Sequence, residues 1–235
     1  MSEDQPTLPE HATLADRMTM IERLETELLR NAAGSIDWKG AAISHSDMFV
    51  MGAVRRTLAQ SKGFRDLIAT RNFPCAAAIL RMQIDTAMRL NALLLVEDPF
   101  KFCEALLDGQ RFNTLKDSAG TKLTDARLRK KLSEKYPWIN AIYEETFDFI
   151  HLSGRHFYNS VFSADNDTHE IKMFIGGTDP PLPDATYFEI VDAFFDVSKV
   201  AFFDVSKVVA LMLLGYFCAW ADDLKRDRRA AELSG

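Results

Sequence analysis

From Pro74 to Val96 the chain runs through Ala76-Ala77-Ala78-Ile79-Leu80 and on without a glycine or a second proline, and then meets Pro99. A segment of that length and character reads as one helix. Proline opens it at a position where the missing N–H costs nothing. Its small residues let a neighbouring helix approach closely, which predicts a central place in a bundle. One polar line crosses it: Arg81, Asp85 and Arg89 at i, i+4 and i+8. Two readings fit that line. One is a structural ion-pair ladder, because an unpaired buried charge is costly. The other turns an arginine across the bundle toward the His151–His156 segment, available to a phosphate or carboxylate.

The flanking sequence repeats the helical pattern. Leu14, Met18, Ile21, Leu24 and Leu28 form one apolar stripe, with Gly34 as a stop. A second helix is predicted from about Ser44–Asp47, with Met51, Val54 and Leu58 facing inward and a weak point at Gly63. Shorter helices are expected over about 99–108 and 124–134, the latter capped by Thr124, and another from Trp138 to about Ser153. Residues 164–184 break the pattern with Asp165, Asn166, Asp167, Gly176, Gly177, Pro180, Pro181 and Pro183. They predict an irregular loop with at most a short strand at Ile171–Ile175. Loops of that length are often lids or binding loops. A long helix should then run from Ala185 to Arg229, with Gly215 its only glycine. The expected fold is therefore all-α: a bundle of five or more helices over residues 13–229, between a disordered arm (1–12) and a frayed tail (230–235).

That last helix contains a repeat. Ala193–Val200 reads AFFDVSKV, and Ala201–Val208 reads the same. Eight residues advance a helix by roughly 80° past two whole turns, so the copies cannot overlay. Phe194, Val197, Ala201, Val205 and Val208 should share one face, while Phe203 falls among Asp196, Lys199, Asp204 and Lys207. Either Phe203 packs against a loop or a second subunit, or the repeat is a duplication without functional meaning.

Composition limits the function. A net charge of −6 and a pI near 5.4 argue against non-specific nucleic-acid binding by the whole molecule. Cys75, Cys103 and Cys218 form no C-x-x-C pair, which points to reduced thiols and a cytoplasmic setting. The acidic start, Met1-Ser2-Glu3-Asp4, is unlike a signal peptide. The longest apolar run, Val208–Trp220, falls short of the roughly 20 residues that span a bilayer. No membrane association is expected.

The residues most suggestive of chemistry are His151-Leu152-Ser153-Gly154-Arg155-His156. On a helix continued from Trp138, Glu144, Asp148, His151 and Arg155 fall within a sector of roughly 60°. Ile142, Tyr143, Phe149 and Ile150 point the other way. The stripe reads either as exposed ion pairs worth a few tenths of a kcal/mol each, or as Asp148 orienting a basic His151 while Arg155 holds an anion. His156 would lie roughly 140° from His151 unless Gly154 ends the helix. Ser153 reads either as a nucleophile or, more simply, as a serine bonded back to a carbonyl. Lys122, Arg127, Arg129, Lys130, Lys131 and Lys135 form a basic cluster, either a solvated face or an RNA contact. Phosphate-loop, dinucleotide, EF-hand and H-E-x-x-H patterns are missing, so no cofactor and no metal is expected.

Two segments carry a resemblance. "AAAILRMQID" at Ala76–Asp85 and "IHLSGRHF" at Ile150–Phe157 are similar to a family of uncharacterised bacterial helical proteins. These more distantly resemble the HEPN superfamily, over about residues 44–220. That resemblance implies a dimeric, metal-independent ribonuclease of a toxin–antitoxin or phage-defence type. His156 or His151 would take the histidine's role, and Arg155 or Arg81 the arginine's. HEPN arginine and histidine lie in one motif with four to six residues between them, and here no arginine precedes either histidine at that spacing. The alternative is a non-catalytic module that forms homodimers, meets a protein partner or binds a small ligand.

Overall fold

The computed structural model describes residues 11–37, 43–151, 153–165 and 167–202. It is a helical bundle with one small hairpin. Helix α1 spans Leu14–Asp37 and α2 His45–Ala69. A capping box starts α2: Ser44 accepts from the Asp47 N–H, and Asp47 accepts from the Ser44 N–H at 2.8 Å. Gly63 is no weak point. A Cβ there would meet Ile79 Cδ1 at 3.2 Å, so the glycine lets the next helix lie close.

That next helix, α3, spans Phe73–Ala92, with Asn72 capping the Cys75 N–H and proline in the first turn. It ends four residues before the predicted Val96. Leu93, Leu94 and Leu95 bond back to the carbonyls of Leu90, Asn91 and Ala92, the tighter pitch of a turn. Helix α4 (Pro99–Leu107) and α5 (Asp125–Lys135) start where expected, on the caps Asp98 and Thr124. Helix α3 is central: it packs on α2, α5 and α6 (Trp138–Ile150), and Ala76, Ala77, Leu80, Ile84, Ala87 and Met88 are buried in the core.

The chain departs from expectation after Ile150. A separate short helix, α7 (Gly154–Ser160), follows, so Gly154 opens a helix and does not close one. Then comes a two-stranded antiparallel hairpin, β1 (Val161–Asp165) and β2 (Glu170–Met173), where only one short strand was expected. The Asp165 carboxylate makes its turn by accepting the N–H groups of Asp167 and Thr168. The all-α architecture stands, with this hairpin as an addition.

A 3-10 turn at Asp184–Tyr187 leads into helix α8, described over 188–202, three residues later than Ala185. Phe194 and Val197 are fully enclosed and Ala201 is buried, the shared face expected of the repeat. The two described residues of the second copy differ in burial from their equivalents in the first. Phe194 is enclosed and its equivalent Phe202 half-buried; Ala193 is half-buried and its equivalent Ala201 enclosed. Val205, Phe203, the Val208–Trp220 run and most of the predicted arm and tail lie outside the described residues. Among those described, no helix is long and apolar enough to cross a membrane.

Candidate functional site

The Trp138 helix stops at His151, whose backbone is extended at φ −110° and ψ 141°. Ser153 organises the break. Its hydroxyl donates to the Asp148 carbonyl at 3.1 Å, closing α6, and its carbonyl accepts the His156 N–H at 3.2 Å, opening α7. The Ser153 N–H in turn donates to His156 Nδ1 at 3.3 Å. His156 thereby fills the place that glutamate takes in a capping box. With Nδ1 occupied as an acceptor, a neutral imidazole carries its proton on Nε2. Ser153 bonds back to a carbonyl, the simpler of its two sequence readings.

The break disperses the acid–base stripe. His151 is exposed and packs at a tilt against Phe147, with ring centroids 4.9 Å apart. Glu144 pairs with Arg129. Arg155 lies in the first turn of α7, off the α6 helix that carries Glu144 and Asp148. Asp148 meets Ser153 through its backbone carbonyl. Of the two histidines, His156 lines a cavity.

That cavity is a half-open cleft of about 670 Å³, between the start of α3, the end of α6, α7 and the loop after β2. A relay of rings leads to it, from Tyr187 behind the wall to Phe73, Phe149 and His156, which line it. Tyr187 lies 6.3 Å from Phe73, Phe73 packs edge-on at 5.5 Å from Phe149, and Phe149 at 6.1 Å from His156. Tyr158 and Phe174 stand at the rim.

The loop is held down by a clamp. The Asp179 N–H donates to the Arg71 carbonyl at 2.6 Å. Asp179 Oδ2 accepts from the Phe73 N–H at 2.9 Å and from the Tyr187 hydroxyl at 2.7 Å. Arg71 pairs with Asp184 at 2.6 Å and stacks on Tyr187, 4.8 Å from its centroid. Arg71 adopts φ +58°, a left-handed conformation unusual for a residue with a side chain. The clamp holds the backbone there. Burial, reinforced by Asp179, pushes the Tyr187 phenol up to about 12.

Compared with models of known protein families, with curated proteins and with solved structures, the chain matches none.

Arg81 does not line the cleft. Its guanidinium sits 3.6 Å from the centre of the Tyr143 ring, at the α3–α6 contact, and its buried Nε has no hydrogen-bond partner. Arg89, not Arg81, takes the Asp85 carboxylate, and it also reaches Asp125 at 3.3 Å. The ladder is thus a pair plus a stacked cation. Sequence reasoning placed Phe149 only on an apolar helix face and passed over Phe73, Asp179 and Tyr187. The one signal toward them was the long irregular loop, read as a lid or binding loop.

Most of the basic cluster is engaged within the fold. Arg129 stacks on Tyr143 at 4.6 Å besides holding Glu144. Lys131 pairs with Glu134 at 2.8 Å, and Lys135 lies over Tyr136. Lys122 and Lys130 are exposed. Arg127 donates twice to Asp117, at 2.7 and 3.1 Å, and Asp117 also accepts from Ala119 and Thr121. Those bonds hold the Asp117 carboxyl below its ordinary value, Arg127 contributing most. A carboxyl lowered on folding stabilises above its unfolded pKa of about 3.9, and that contribution is lost as pH falls further. Arg127→Met should therefore lower the Tm at pH 7, and the difference from the parent should shrink as pH drops below about 3.9. A difference that stays constant with pH would mean that Arg127 acts through packing alone.

Proposed function

We propose that the chain is a non-catalytic helical module that binds a small organic ligand in the cleft beside His156. The observation that carries this reading is the make-up of the cleft wall. Three phenylalanines and a tyrosine supply apolar surface, and His156 and Asp179 supply polar contacts at fixed places. A predominantly apolar cleft with few convergent polar groups is the usual build of a small-molecule site. Its volume also lies in the usual range of about 300–1,000 Å³. A phosphodiester would need cations at close range. Among the described side chains no lysine or arginine lines this cleft, and one aspartate does.

The test is a neutral fluorescent probe, N-phenyl-1-naphthylamine, titrated into the parent and into Thr178→Trp, which fills the cleft. Saturable brightening in the parent, weakened at least tenfold (about 1.4 kcal/mol) in the variant, is the expected result. Equal binding by both proteins would place the probe elsewhere and end the proposal.

A ribonuclease reading rests on a different observation: His156 lines the cleft, and Arg155 directly precedes it on α7. It predicts RNA cleavage by the purified protein that His156→Ala abolishes. Intact RNA after prolonged incubation at micromolar protein would refute it.

A further inference from the structure

Resting on the cleft-binding reading, we infer that the ligand is an amine carried on an aromatic or apolar body. Asp179 points to this. Both of its hydrogen bonds from the protein, from the Phe73 N–H and the Tyr187 hydroxyl, arrive at Oδ2. Oδ1 accepts nothing from the described residues and is not among their buried unpartnered atoms. A half-buried carboxylate thus keeps one oxygen for a donor from outside. The other protein contacts of Asp179 fix its position, so the free oxygen is held in place before any ligand arrives.

The surroundings select for positive charge. No lysine or arginine among the described side chains lines the cleft. Arg71, which stacks on Tyr187, is already matched by Asp184. Phe73, Phe149, Phe174 and Tyr158 bring ring faces and edges to the same space. Aromatic faces attract cations, and more strongly as water is excluded. A carboxylate ligand would meet the Asp179 charge with no compensating cation among the described side chains that line the cleft. An amine head at Asp179 Oδ1 with its body against Phe73 and Phe149 satisfies both features. His156 Nε2–H remains as a donor for any carbonyl or hydroxyl on the same ligand.

Three probes on one phenylethyl body decide this: 2-phenylethylamine, 2-phenylethanol and 3-phenylpropionate, measured by calorimetry or ligand-observed NMR. The amine should bind about tenfold more tightly than the alcohol, and the acid should bind least. Added sodium chloride should weaken the amine and leave the alcohol unchanged. Asp179→Asn keeps an oxygen for the Phe73 and Tyr187 donors, and it should reduce the amine to the alcohol's affinity. If that variant fails to fold by circular dichroism, the amine-to-alcohol ratio and its salt dependence in the parent decide alone. Equal binding of all three probes, or preference for the acid, would overturn the amine assignment. The cleft reading would survive that result if Thr178→Trp abolishes binding of all three. Absence of binding by every probe would overturn both.

Discussion

Phe64→Ala is expected to destabilise the protein by about 3–5 kcal/mol, the usual cost of truncating an enclosed phenylalanine. Phe64 lies on α2, is fully enclosed, and stacks on Phe194 of α8 with centroids 4.0 Å apart and planes 11° apart. That pair couples the front of the bundle to the first copy of the AFFDVSKV repeat. Truncation removes transfer free energy and leaves a cavity that helices on both sides cannot close. Urea unfolding followed by circular dichroism measures it, and Phe64→Leu should lose clearly less because it keeps most of the volume. A loss below about 1 kcal/mol for the alanine variant would mean that α8 docks on α2 loosely, against the enclosure seen here.

Tyr187→Phe should cost about 1.5–3 kcal/mol, the range for a hydrogen bond to a charged partner. The ring is enclosed and would be kept, so the effect isolates the hydroxyl that donates to Asp179. The pH profile adds a second signature. The phenol is raised from its ordinary 10 to about 12 in the fold, so the folded state holds the proton more tightly. Its contribution is complete below pH 10 and disappears as pH rises from 10 toward 12. The stability gap between parent and variant should therefore narrow across that window. A gap unchanged from pH 8 to 11 would show that the hydroxyl is not the group responsible.

The helices announced by local chemistry were legible. Ser44 with Asp47, Pro74 and Thr124 are signals whose effect reaches only one turn, and each begins a helix near the place it indicates. The repeat was legible for the same reason: its rotation follows from helical pitch alone. The break at His151 was not. No glycine or proline precedes it. It depends on one serine bonding two ways and on a histidine standing in for a capping glutamate. The cleft was still less visible. Phe73, Phe149 and His156 belong to three separate elements, and Asp179 looks like any loop aspartate until the Phe73 N–H and the Tyr187 hydroxyl are brought to it. The charged residues that drew attention in the sequence turned out mostly matched at short range: Glu144 by Arg129, Asp85 by Arg89, Arg127 by Asp117.

The clamp from Arg71 and Phe73 to the loop joins parts of the chain 113 and 106 residues apart. Closing so long an excursion costs chain entropy that local helix contacts never incur. The helical hairpin of α2 and α3 needs only its own neighbours; the cleft needs the whole intervening chain to have found its place. Any species in which residues 176–187 are undocked can keep the α2–α3 contact and lack the cleft. Occupancy of that cleft would thus serve as a gauge of completed assembly, registering the final state and none of its precursors.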